Sequence, residues 1–465
     1  MTTIAQALIA ALGADRVAED EATRQEHAKD YWVLAHLRSR QGRLGTGPTC
    51  VVKARSTQEI ATAVKIAAEH RVPVVPYGGG SGVLGGAMAP AGSIAIDTRA
   101  MDRILELNET SLYVTAQAGL LGGEFERRLN AKGYMTGHYP QSIDRASVGG
   151  LVATRSAGQF STRYGNIEDL LLGLEVVLPN STVARVGFNP RAAAGPSLRE
   201  IFCGSEGALG IITEVTQRVF PLPERRAVQS YAFPSVAAGL EAMRRFIRVG
   251  WRPPVVRLYD WIEAARNFTQ WAPSNQALLL LVSEGPAAMV DAEMAGCDAI
   301  CTAAAGTLVG PEPVNHWLAN RNHVPSWDAF FEREMLVDTV EIAAPWDRVT
   351  ALYEHAIAAL TGAPGVVLAS AHSSHSYSTG TNLYITFALK PDDFAAHAED
   401  LYLSAWAKVM EAALANGGTI AHHHGVGRLR TQWIERELGT GYPLLQAIKH
   451  ALDPTGTMNP GVLLP

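Results

Sequence analysis

Residues 74–82 constrain the fold of this chain more than any other segment, because four of the five positions from Gly78 to Gly82 are glycine. The string VVPYGGGSG predicts a short apolar strand that ends in a loop. Consecutive glycines let a backbone approach a ligand closely and turn several N–H groups inward, which creates a concave site for an anion such as a pyrophosphate. Further glycine-rich runs follow at 147–150 and 204–210. Together the three loops indicate one long cofactor that carries phosphate.

The first loop also contains a match to the dinucleotide fingerprint G-x-G-x-x-G, at residues 80–85. That fingerprint binds a nicotinamide cofactor only where a helix follows and places its N-terminus at the pyrophosphate. Here Gly86, Pro90 and Gly92 follow, and then a strand-like run at 93–97. We therefore reject the nicotinamide interpretation. The phosphate loop of nucleotide hydrolases is rejected as well, since no Gly-Lys-Ser/Thr sequence lies there. A glycine-rich hairpin turn without a ligand stays as the alternative.

Composition narrows the class of protein. The 465 residues are enough for about two or three domains with a large core. The net charge of −6 shows no basic excess, which argues against a nucleic-acid partner. The few scattered cysteines predict reduced, buried thiols in a cytoplasmic protein. Cys297 and Cys301 lie one helical turn apart, but no second pair completes a zinc site.

The N-terminus predicts no targeting segment. Residues 1–13 have the pattern of an amphipathic helix and lack the basic start and cleavage site of a signal peptide. No apolar run approaches the roughly 18 residues of a transmembrane helix. Peripheral contact with a membrane stays open.

Element signals divide the chain into regions. Residues 1–45 predict polar helices. From Pro48, a strand, a helix that is capped at Ser56 or Thr57 and a second strand form a β-α-β unit before the first glycine loop. The region after the Pro-Leu-Pro boundary at 221–223 is richer in long helices. We therefore predict an N-terminal helical segment at 1–45, a cofactor-binding domain at 46–224, a cap or substrate domain at 225–430 and a C-terminal segment at 431–465.

Four strings, in this order, resemble those of the vanillyl-alcohol oxidase/p-cresol methylhydroxylase family of flavoproteins. They are the glycine loop after its Val-rich strand, SVGG at 147–150, GSEGALGIIT at 204–213 and DPTGTMNPG at 453–461. The resemblance implies an α+β fold with a two-subdomain FAD-binding domain, an α+β cap domain with an antiparallel sheet, and a C-terminal segment that returns to the FAD-binding domain. The implied cofactor is FAD.

Within the family, the chain is most similar to the alkylglycerone-phosphate synthases and their bacterial FAD-binding oxidase relatives. This similarity depends on YGNIED at 164–169, APWDR at 344–348 and NGGTIAHHHGVG at 416–427.

The resemblance places the FAD contacts in the three glycine-rich runs and two neighbouring stretches. The residues are Pro76, Tyr77, Gly78, Gly79, Gly80, Ser81, Gly82, Gln141, Asp144, Ser147, Val148, Gly149, Gly150, Thr154, Arg155, Ser156, Ala157, Glu206, Gly207, Ala208, Leu209, Gly210, Ile211 and Ile212. Ser81 stands where some relatives have a histidine that is bonded to the flavin. We therefore expect no covalent link through this position, and a histidine of the cap domain stays an alternative.

The resemblance also implies a catalytic tyrosine at Tyr377, which three consecutive histidines would support. A phenol has a pKa near 10 and donates a proton unless a nearby cation lowers that pKa. In an extended backbone His422 and His424 would share one face, and His423 would face the other way. Histidine can carry a proton near neutral pH, and the resemblance implies that His424 is the one that assists Tyr377. A buried tyrosine with a satisfied hydroxyl and purely structural histidines are the alternatives.

Arg257 falls on an arginine that the family requires. It lies in an apolar, strand-like run, where a charge is costly unless it is paired. The resemblance implies a functional role, and the partner would be Asp260, a substrate anion or reduced flavin. A simple ion pair is the alternative.

A metal site formed by His422 or His424 with His372 or His375 is an alternative that we do not adopt, so no metal is predicted.

One further feature concerns the substrate. Trp327 stands where the synthases have an arginine in the cap. This removes an anchor for a phosphate, although Arg321 lies near enough in sequence to replace it.

We therefore predict an FAD-dependent oxidase or dehydrogenase that transfers a hydride from a hydroxylated small molecule, of the 2-hydroxy acid or alcohol type, to flavin N5. The alternative is a synthase-like exchange of an acyl for an alkoxy group through a flavin adduct, without net redox. A flavin-binding protein without catalysis is a third class, against which the clustered tyrosine and histidines argue. We expect a substrate with an apolar part. Its identity, the electron acceptor and the oligomeric state, including a homodimer, stay open.

Overall fold

The computed structural model describes residues 2–324 and 326–465. Met1, in the predicted N-terminal helix, and Pro325, in the cap segment that contains Trp327, lie outside the described residues. The described part of the chain contains helices and four sheets. The predicted α+β fold is confirmed.

The N-terminal region folds into four α-helices and a mostly parallel sheet. Its elements are α1 (Ile4–Leu12), β1 (Val17–Ala18), α2 (Glu21–His27), α3 (Val33–Arg40), β2 (Cys50–Lys53), α4 (Thr57–His70), β3 (Val74–Tyr77) and β4 (Ile94–Asp97). The strand order is β1-β2-β4-β3, and only β1 pairs antiparallel. The expectation of helices alone before residue 45 missed β1, because two residues are too few to show an alternating pattern.

Helix α4 begins where its sequence predicts. Ser56 caps it, since the Ser56 hydroxyl accepts a hydrogen bond from Glu59 N at 3.2 Å. The helix leads into β3, and β3 ends at Tyr77 in the glycine loop. No helix follows this loop before β4, so the rejection of the nicotinamide fingerprint is confirmed.

The second region forms an antiparallel sheet of five strands and a small sheet of two. Its elements are β5 (Ile104–Asn108), β6 (Tyr113–Gln117), α5 (Gly122–Asn130), β7 (Tyr134–Met135), α6 (Val148–Ala153), α7 (Ser161–Tyr164), α8 (Ile167–Leu170), β8 (Leu171–Val177), β9 (Val183–Val186), α9 (Arg199–Phe202), β10 (Ile211–Arg218) and β11 (Phe220–Pro221). The strand order is β5-β6-β10-β8-β9, and β7 pairs with β11.

The third region builds one antiparallel sheet of seven strands. Its elements are β12 (Arg225–Phe233), α10 (Val236–Val249), β13 (Val255–Tyr259), α11 (Trp261–Asn267), β14 (Ala277–Gly285), α12 (Ala287–Ala303), β15 (Thr307–Leu308), α13 (Glu312–Asn320), α14 (Asp328–Phe331), β16 (Leu336–Pro345), α15 (Val349–Thr361), β17 (Val366–Ser373), β18 (Gly380–Leu389) and α16 (Phe394–Ala415). The strand order is β15-β12-β14-β13-β17-β18-β16. The antiparallel sheet predicted for this region is confirmed.

Strand β13 shows how this sheet presents functional side chains. Val256 and Leu258 pack in the large core cluster beneath the long helices, whereas Val255 and Tyr259 pack in a second cluster on the opposite face. Because side chains alternate along a strand, Arg257 lies on the same face as Tyr259. The sheet therefore carries this arginine away from the main core.

The C-terminal residues close the chain against the first sheet. After α17 (Ile434–Leu438) and α18 (Tyr442–Leu452), the loop-like tail places Met458 in a parallel bridge with Val74 of β3. The Asn459 side-chain amide donates to Gly86 O at 2.9 Å and to Glu206 O at 2.7 Å. The tail therefore contacts two of the glycine-rich loops.

Two general expectations can be compared with the structure. The four cysteines are free and buried, as predicted. Among residues 2–324 and 326–465, no helix combines the length and the apolar character that a membrane span requires. The predicted domain boundaries and the cytoplasmic location stay predictions.

Candidate active site between the glycine loops and the large sheet

A cavity of about 970 Å³ lies between the glycine-rich loops and the seven-stranded sheet. Most residues predicted to contact FAD line it: Pro76, Tyr77, Gly78, Gly79, Gly80, Ser81, Gly82, Gln141, Ser147, Gly149, Gly150, Thr154, Ser156, Ala157, Glu206, Gly207, Gly210, Ile211 and Ile212. The others do not line it: Asp144, Val148, Arg155, Ala208 and Leu209. Arg155, for example, is exposed and pairs with Glu168 at 3.1 Å.

The first glycine loop fits a phosphate-bearing cofactor. A Cβ atom on Gly79 would lie 1.7 Å from Arg145 O, and one on Gly78 would lie 2.2 Å from Ser147 Oγ, so only glycine fits here. Gly80 has a φ of 61°, in the left-handed region. Within the described ranges, no backbone N–H from Gly78 to Gly82 donates a hydrogen bond to a protein acceptor. Unpaired donors on a cavity wall suit the pyrophosphate of FAD.

Glu206 connects the third glycine-rich run to the loop after the three histidines. Its Oε1 accepts hydrogen bonds from Val426 N at 2.7 Å and from Gly427 N at 3.1 Å, and its Oε2 accepts from Gly427 N at 3.0 Å. Burial raises the pKa of Glu206 to about 7. A single carboxyl group thus joins a loop expected at the cofactor to the loop that carries the histidines.

The three histidines do not follow the alternation expected of an extended strand. Residues 422–424 form a bend, and His423 and His424 line the cavity, whereas His422 does not. His422 is the histidine that contacts Tyr377, with 2.6 Å between its Nε2 and the phenol oxygen. The expected contact between His424 and Tyr377 is therefore not the one observed. The alternation failed because loop dihedrals, not the strand period, orient these rings.

A hydrogen-bonded chain leads from the cavity to Tyr377. His423 Nδ1 and His422 Nδ1 lie 2.7 Å apart, His422 Nε2 contacts the Tyr377 hydroxyl, and the Asn166 side-chain amide donates to that hydroxyl at 2.9 Å. Tyr377 itself is half-buried and does not line the cavity. Burial raises the pKa of the Tyr377 phenol, so this group stays protonated near neutral pH.

Burial also keeps the neighbouring imidazoles neutral. It lowers the pKa of His422 to about 4 and holds the pKa values of His423 and His375 well below the ordinary value. A neutral imidazole has one nitrogen that donates and one that accepts. The histidines can therefore take up and hand on a proton without a standing positive charge.

His424 has a separate partner. Its Nδ1 lies 2.5 Å from Glu341 Oε2, and Arg430 Nη1 donates to Glu341 Oε1 at 2.8 Å. Burial alone would raise the pKa of Glu341, but Arg430 and His424 lower it well below the ordinary value. Glu341 is thus a buried carboxylate behind a cavity-lining histidine, as in acid–base pairs of enzymes.

One group of side chains has the spacing of a metal site. Ligand nitrogens of His375, His422 and His423 lie within 4.8 Å of one another. Both nitrogens of His422 already take part in hydrogen bonds, and His375 Nδ1 lies 2.7 Å from Ser161 Oγ. A metal would have to displace these contacts, so the geometry favours the hydrogen-bonded chain.

Arg257 is buried, at 8% exposure, and lines the cavity. Its guanidinium donates to the Tyr259 hydroxyl at 2.9 Å and to His372 Nε2 at 2.8 Å. Asp260 is not its partner, because that carboxylate accepts hydrogen bonds from Glu263 N and Ala371 N. Among the described residues no carboxylate lies within ion-pair distance of Arg257.

The cap side of the cavity is largely apolar. Trp317, Trp327 and Phe330 line it. The Trp327 indole N–H donates to Tyr31 O at 3.1 Å, so its ring, not its single donor, is left for a ligand. Arg321 also lines the cavity and donates to Gln159 Oε1 at 2.7 Å.

Sequence reasoning missed Glu341, Glu263 and the role of Asn166. Glu341 is one of two acidic residues of the mostly apolar strand β16, with Asp338, and is fully buried. A charged residue at an inward position of an apolar strand is costly unless it is paired, and this signal was available. Glu263 lies in the first turn of α11, where acidic residues are common at the surface, so its sequence gave no such signal.

Sequence matches to known families define the chain as a flavoprotein oxidoreductase. Residues 48–187 match the FAD binding domain family, and residues 222–463 match the C-terminal domain of FAD linked oxidases. The chain belongs to the FAD-linked oxidase family, so it is an enzyme whose cofactor is FAD.

Individual relatives support this assignment. The chain is 34% identical over 432 residues to the uncharacterized FAD-linked oxidoreductase YgcU of Escherichia coli K12, over 90% of this chain and 89% of that protein. It is 30% identical to the alkyldihydroxyacetonephosphate synthase of Caenorhabditis elegans, over 89% of this chain and 76% of the relative.

Solved structures agree as well. One of an alkyldihydroxyacetonephosphate synthase superposes with a TM-score of 0.82 at 25% identity and covers 98% of this chain and 84% of its own. p-Cresol methylhydroxylase superposes with a TM-score of 0.78 at 17% identity, over 99% of this chain and 96% of its own, which shows the shared fold.

Proposed function

We propose that this FAD-linked enzyme oxidises a hydroxylated small molecule that carries an acidic group and an apolar part. One observation carries the proposal. The buried Arg257, which has no carboxylate partner among the described residues, lines the same cavity as His423 and His424. A buried guanidinium favours an anion. A neutral imidazole favours a group that must lose a proton.

The glycine loop 78–82, with Ser147 and the run 206–212, would hold the cofactor. FAD, when bound, supplies an acceptor for the hydride, which carries the electron pair that leaves the substrate. The free backbone donors of the loop support binding of its phosphates. Ser81 offers a hydroxyl and no imidazole, which supports a non-covalent complex.

The histidines would handle the substrate proton. His423 accepts it on the ring nitrogen that is not bonded to His422, and releases the proton of its Nδ1 to His422 Nδ1. His422 in turn shares a proton between its Nε2 and the Tyr377 hydroxyl. As the Tyr377 oxygen takes the proton from His422, its own hydroxyl proton passes to solvent, and because Tyr377 lies outside the cavity, one proton leaves the reaction centre. Glu341, which lies behind His424, stabilises the positive charge on His422 and His423 while the transfer takes place.

Exchange of an acyl for an alkoxy group is the second candidate. The similarity to alkyldihydroxyacetonephosphate synthases and the retained HHHGVG string support it. Trp327 argues against it, since the neutral, apolar ring offers no charge to a phosphate. Arg321 offers one guanidinium in the same cavity.

Anaerobic spectroscopy tests the two candidates. Purified holoenzyme is mixed with 2-hydroxy acids, alcohols, or acyl-glycerone phosphate plus a long-chain alcohol. We expect flavin absorbance to bleach with a hydroxylated acid and no fatty acid to be released. Release of fatty acid with formation of an ether product, and no bleaching by the hydroxylated compounds, would overturn the oxidation proposal.

A further inference from the structure

We propose that His372 and Glu263 are positioning residues that fix the guanidinium of Arg257 toward the cavity. The inference deepens the proposed function and rests on Arg257 as the anchor of the acidic group. Neither residue belongs to the proposed proton-transfer chain, and nothing in the resemblance assigns either one a role toward this arginine.

The four side chains form one continuous network. Arg257 Nε donates to the Tyr259 hydroxyl at 2.9 Å, and Arg257 Nη2 donates to His372 Nε2 at 2.8 Å. His372 Nδ1 lies 3.0 Å from Glu263 Oε1. His372 and Glu263 are buried, at 7% and 4% exposure. The network connects β13, α11 and β17, so three elements of secondary structure hold its side chains in place.

The donor and acceptor roles in this network follow from chemistry. A guanidinium has only donors, so His372 Nε2 must accept and the imidazole proton must lie on Nδ1. The Nδ1–H group then donates to Glu263, and an ionised carboxylate is the strongest acceptor for this hydrogen bond. Burial alone would raise the pKa of Glu263, but His372 lowers it below the ordinary value, and burial lowers the pKa of His372. A neutral imidazole with a fixed tautomer is the result.

The fixed tautomer orients the arginine. Two edges of the guanidinium are occupied, by Tyr259 and His372, and Nη1 has no protein partner among the described residues. Aromatic faces hold the plane, since the guanidinium carbon lies 5.1 Å from the centre of the Trp317 ring and 5.4 Å from that of Tyr259. The Tyr259 oxygen accepts from Arg257, which leaves its own hydrogen to donate. Nη1 and this hydroxyl together are suited to one acidic group.

A purely electrostatic role for Glu263 makes the opposite prediction. A carboxylate beside the cavity repels a substrate anion, so its removal would strengthen anion binding. If Glu263 acts by positioning, its removal frees the His372 tautomer and weakens anion binding. The sign of the change therefore separates the two roles.

The direct test is imidazole ¹⁵N NMR of holoenzyme with labelled histidine, in which the His372 signals are those lost in His372→Gln. We expect the neutral Nδ1–H tautomer from pH 6 to 8 in the wild type. In Glu263→Ala we expect a mixture of tautomers, and in Glu263→Gln, whose amide oxygen can still accept, the wild-type tautomer. An Nε2–H tautomer in the wild type, or no change in Glu263→Ala, would overturn the proposal.

The functional test uses oxalate as the anionic probe, titrated by its perturbation of the flavin spectrum. We expect Glu263→Ala to bind oxalate about ten-fold or more weakly, a factor that corresponds to 1.4 kcal/mol. Glu263→Gln should stay within about three-fold. Tighter binding by Glu263→Ala would sink the positioning role in favour of the electrostatic one.

Glu293→Gln is the matched control. Glu293 is equally buried, at 4% exposure, and pairs with Arg163 away from the cavity. This variant should bind oxalate as the wild type does. Flavin content and Tm of each variant show whether the fold is retained.

Failure of the proposed function would look different. If Arg257→Lys binds oxalate normally while the tautomer of His372 depends on Glu263, the anchor role of Arg257 fails and the positioning geometry stands. If Arg257→Lys loses oxalate but Glu263→Ala does not, the anchor stands and the positioning role falls.

Discussion

His422, His423 and His424 are adjacent in sequence and have three different environments. His422 bonds to Tyr377, His423 bonds to His422 and lines the cavity, and His424 lies against Glu341. The residue type is therefore not what distinguishes their roles. The partner of each ring sets its tautomer and the direction in which it can pass a proton.

Replacement of Tyr377 by Phe tests the part of the hydrogen-bonded chain that lies outside the cavity. We expect Tyr377→Phe to keep FAD and fold while kcat falls by about 10²–10⁴-fold, the usual contribution of acid–base catalysis. Turnover of the identified substrate at saturating concentration measures this. Tyr231→Phe, which removes a buried hydroxyl that donates to Asp298 away from the cavity, is the control and should keep normal turnover. An unchanged kcat in Tyr377→Phe would remove this hydroxyl from the mechanism.

Replacement of Arg257 by Lys keeps the charge and loses the shape. A single ammonium cannot reach Tyr259 and His372 and still present a donor to an acidic group. We therefore expect KM for an acidic substrate to rise about ten-fold or more in Arg257→Lys, with FAD retained. Arg226→Lys, at a guanidinium that pairs with Glu284 outside the cavity, serves as control. Near-normal kinetics in Arg257→Lys would reduce the residue to a diffuse positive field.

At the scale of residues, the sequence predicts functional side chains that stand in one recognisable motif. It does not predict contacts between side chains that are far apart in sequence. Tyr377, Arg257 and the histidines were predicted because each stands in a recognisable string. Glu341 and Glu263 were not, because their roles arise only when β16 meets the histidine loop and α11 meets β17. The charge of Glu341 in an apolar strand indicates that it is paired, but no local pattern identifies the partner.

At the scale of elements, the loop that carries His422, His423 and His424 is held in place by contacts of the residues that follow the histidines. Gly427 has a φ of 54°, and a Cβ atom there would lie 2.4 Å from Leu84 O, so this turn requires glycine. Glu206 accepts the N–H groups of Val426 and Gly427. The glycine-rich run at 204–210 and the loop that carries the histidines are therefore linked directly.

The buried carboxyl of Glu206 also predicts a dependence of stability on pH. Burial raises its pKa from an ordinary value of 4.5 to about 7, so the folded protein binds more protons than the unfolded chain between these values. The free energy of unfolding then falls as the pH rises through this window. Glu206→Gln cannot ionise, and we expect its fall between pH 5 and pH 8 to be smaller than that of the wild type by up to about 3 kcal/mol.

Urea unfolding at both pH values measures this difference. Asp30, whose pKa burial also raises to about 7, keeps part of the fall in the variant. Glu241→Gln is the control, because hydrogen bonds from Arg244 and Arg245 lower the pKa of Glu241 to about 2, outside the window. An equal fall in Glu206→Gln and the wild type would contradict the prediction.

Elements were predicted best where their signals are local. The Ser56 cap and the Gly loop after β3 lie where the sequence indicated, because capping and left-handed turns depend on a few neighbouring residues. The extended backbone considered for residues 422–424 is not present, since Glu206 and Glu341, far away in sequence, hold that segment as a bend.

At the scale of the whole molecule, the cavity joins contributions from all three large sheets. We expect its FAD to be held without a covalent bond, since Ser81 lines the cavity where a linking histidine would be needed. Acid precipitation of the purified protein should leave yellow flavin in the supernatant. Flavin retained in the pellet would point to a covalent link through another residue, and His423→Ala and His424→Ala would identify whether a cavity histidine forms it.

The bridge between Val74 and Met458 has a consequence for synthesis. The ribosome makes β3 before residues 453–461, and at about 5–20 residues per second the interval is on the order of tens of seconds. During that time β3 lacks its bridge to Met458, and Gly86, just after the glycine loop, lacks its hydrogen bond from Asn459. Until Met458 and Asn459 are made, the nascent chain therefore has an unfinished sheet edge, and we expect FAD to bind stably only after that point.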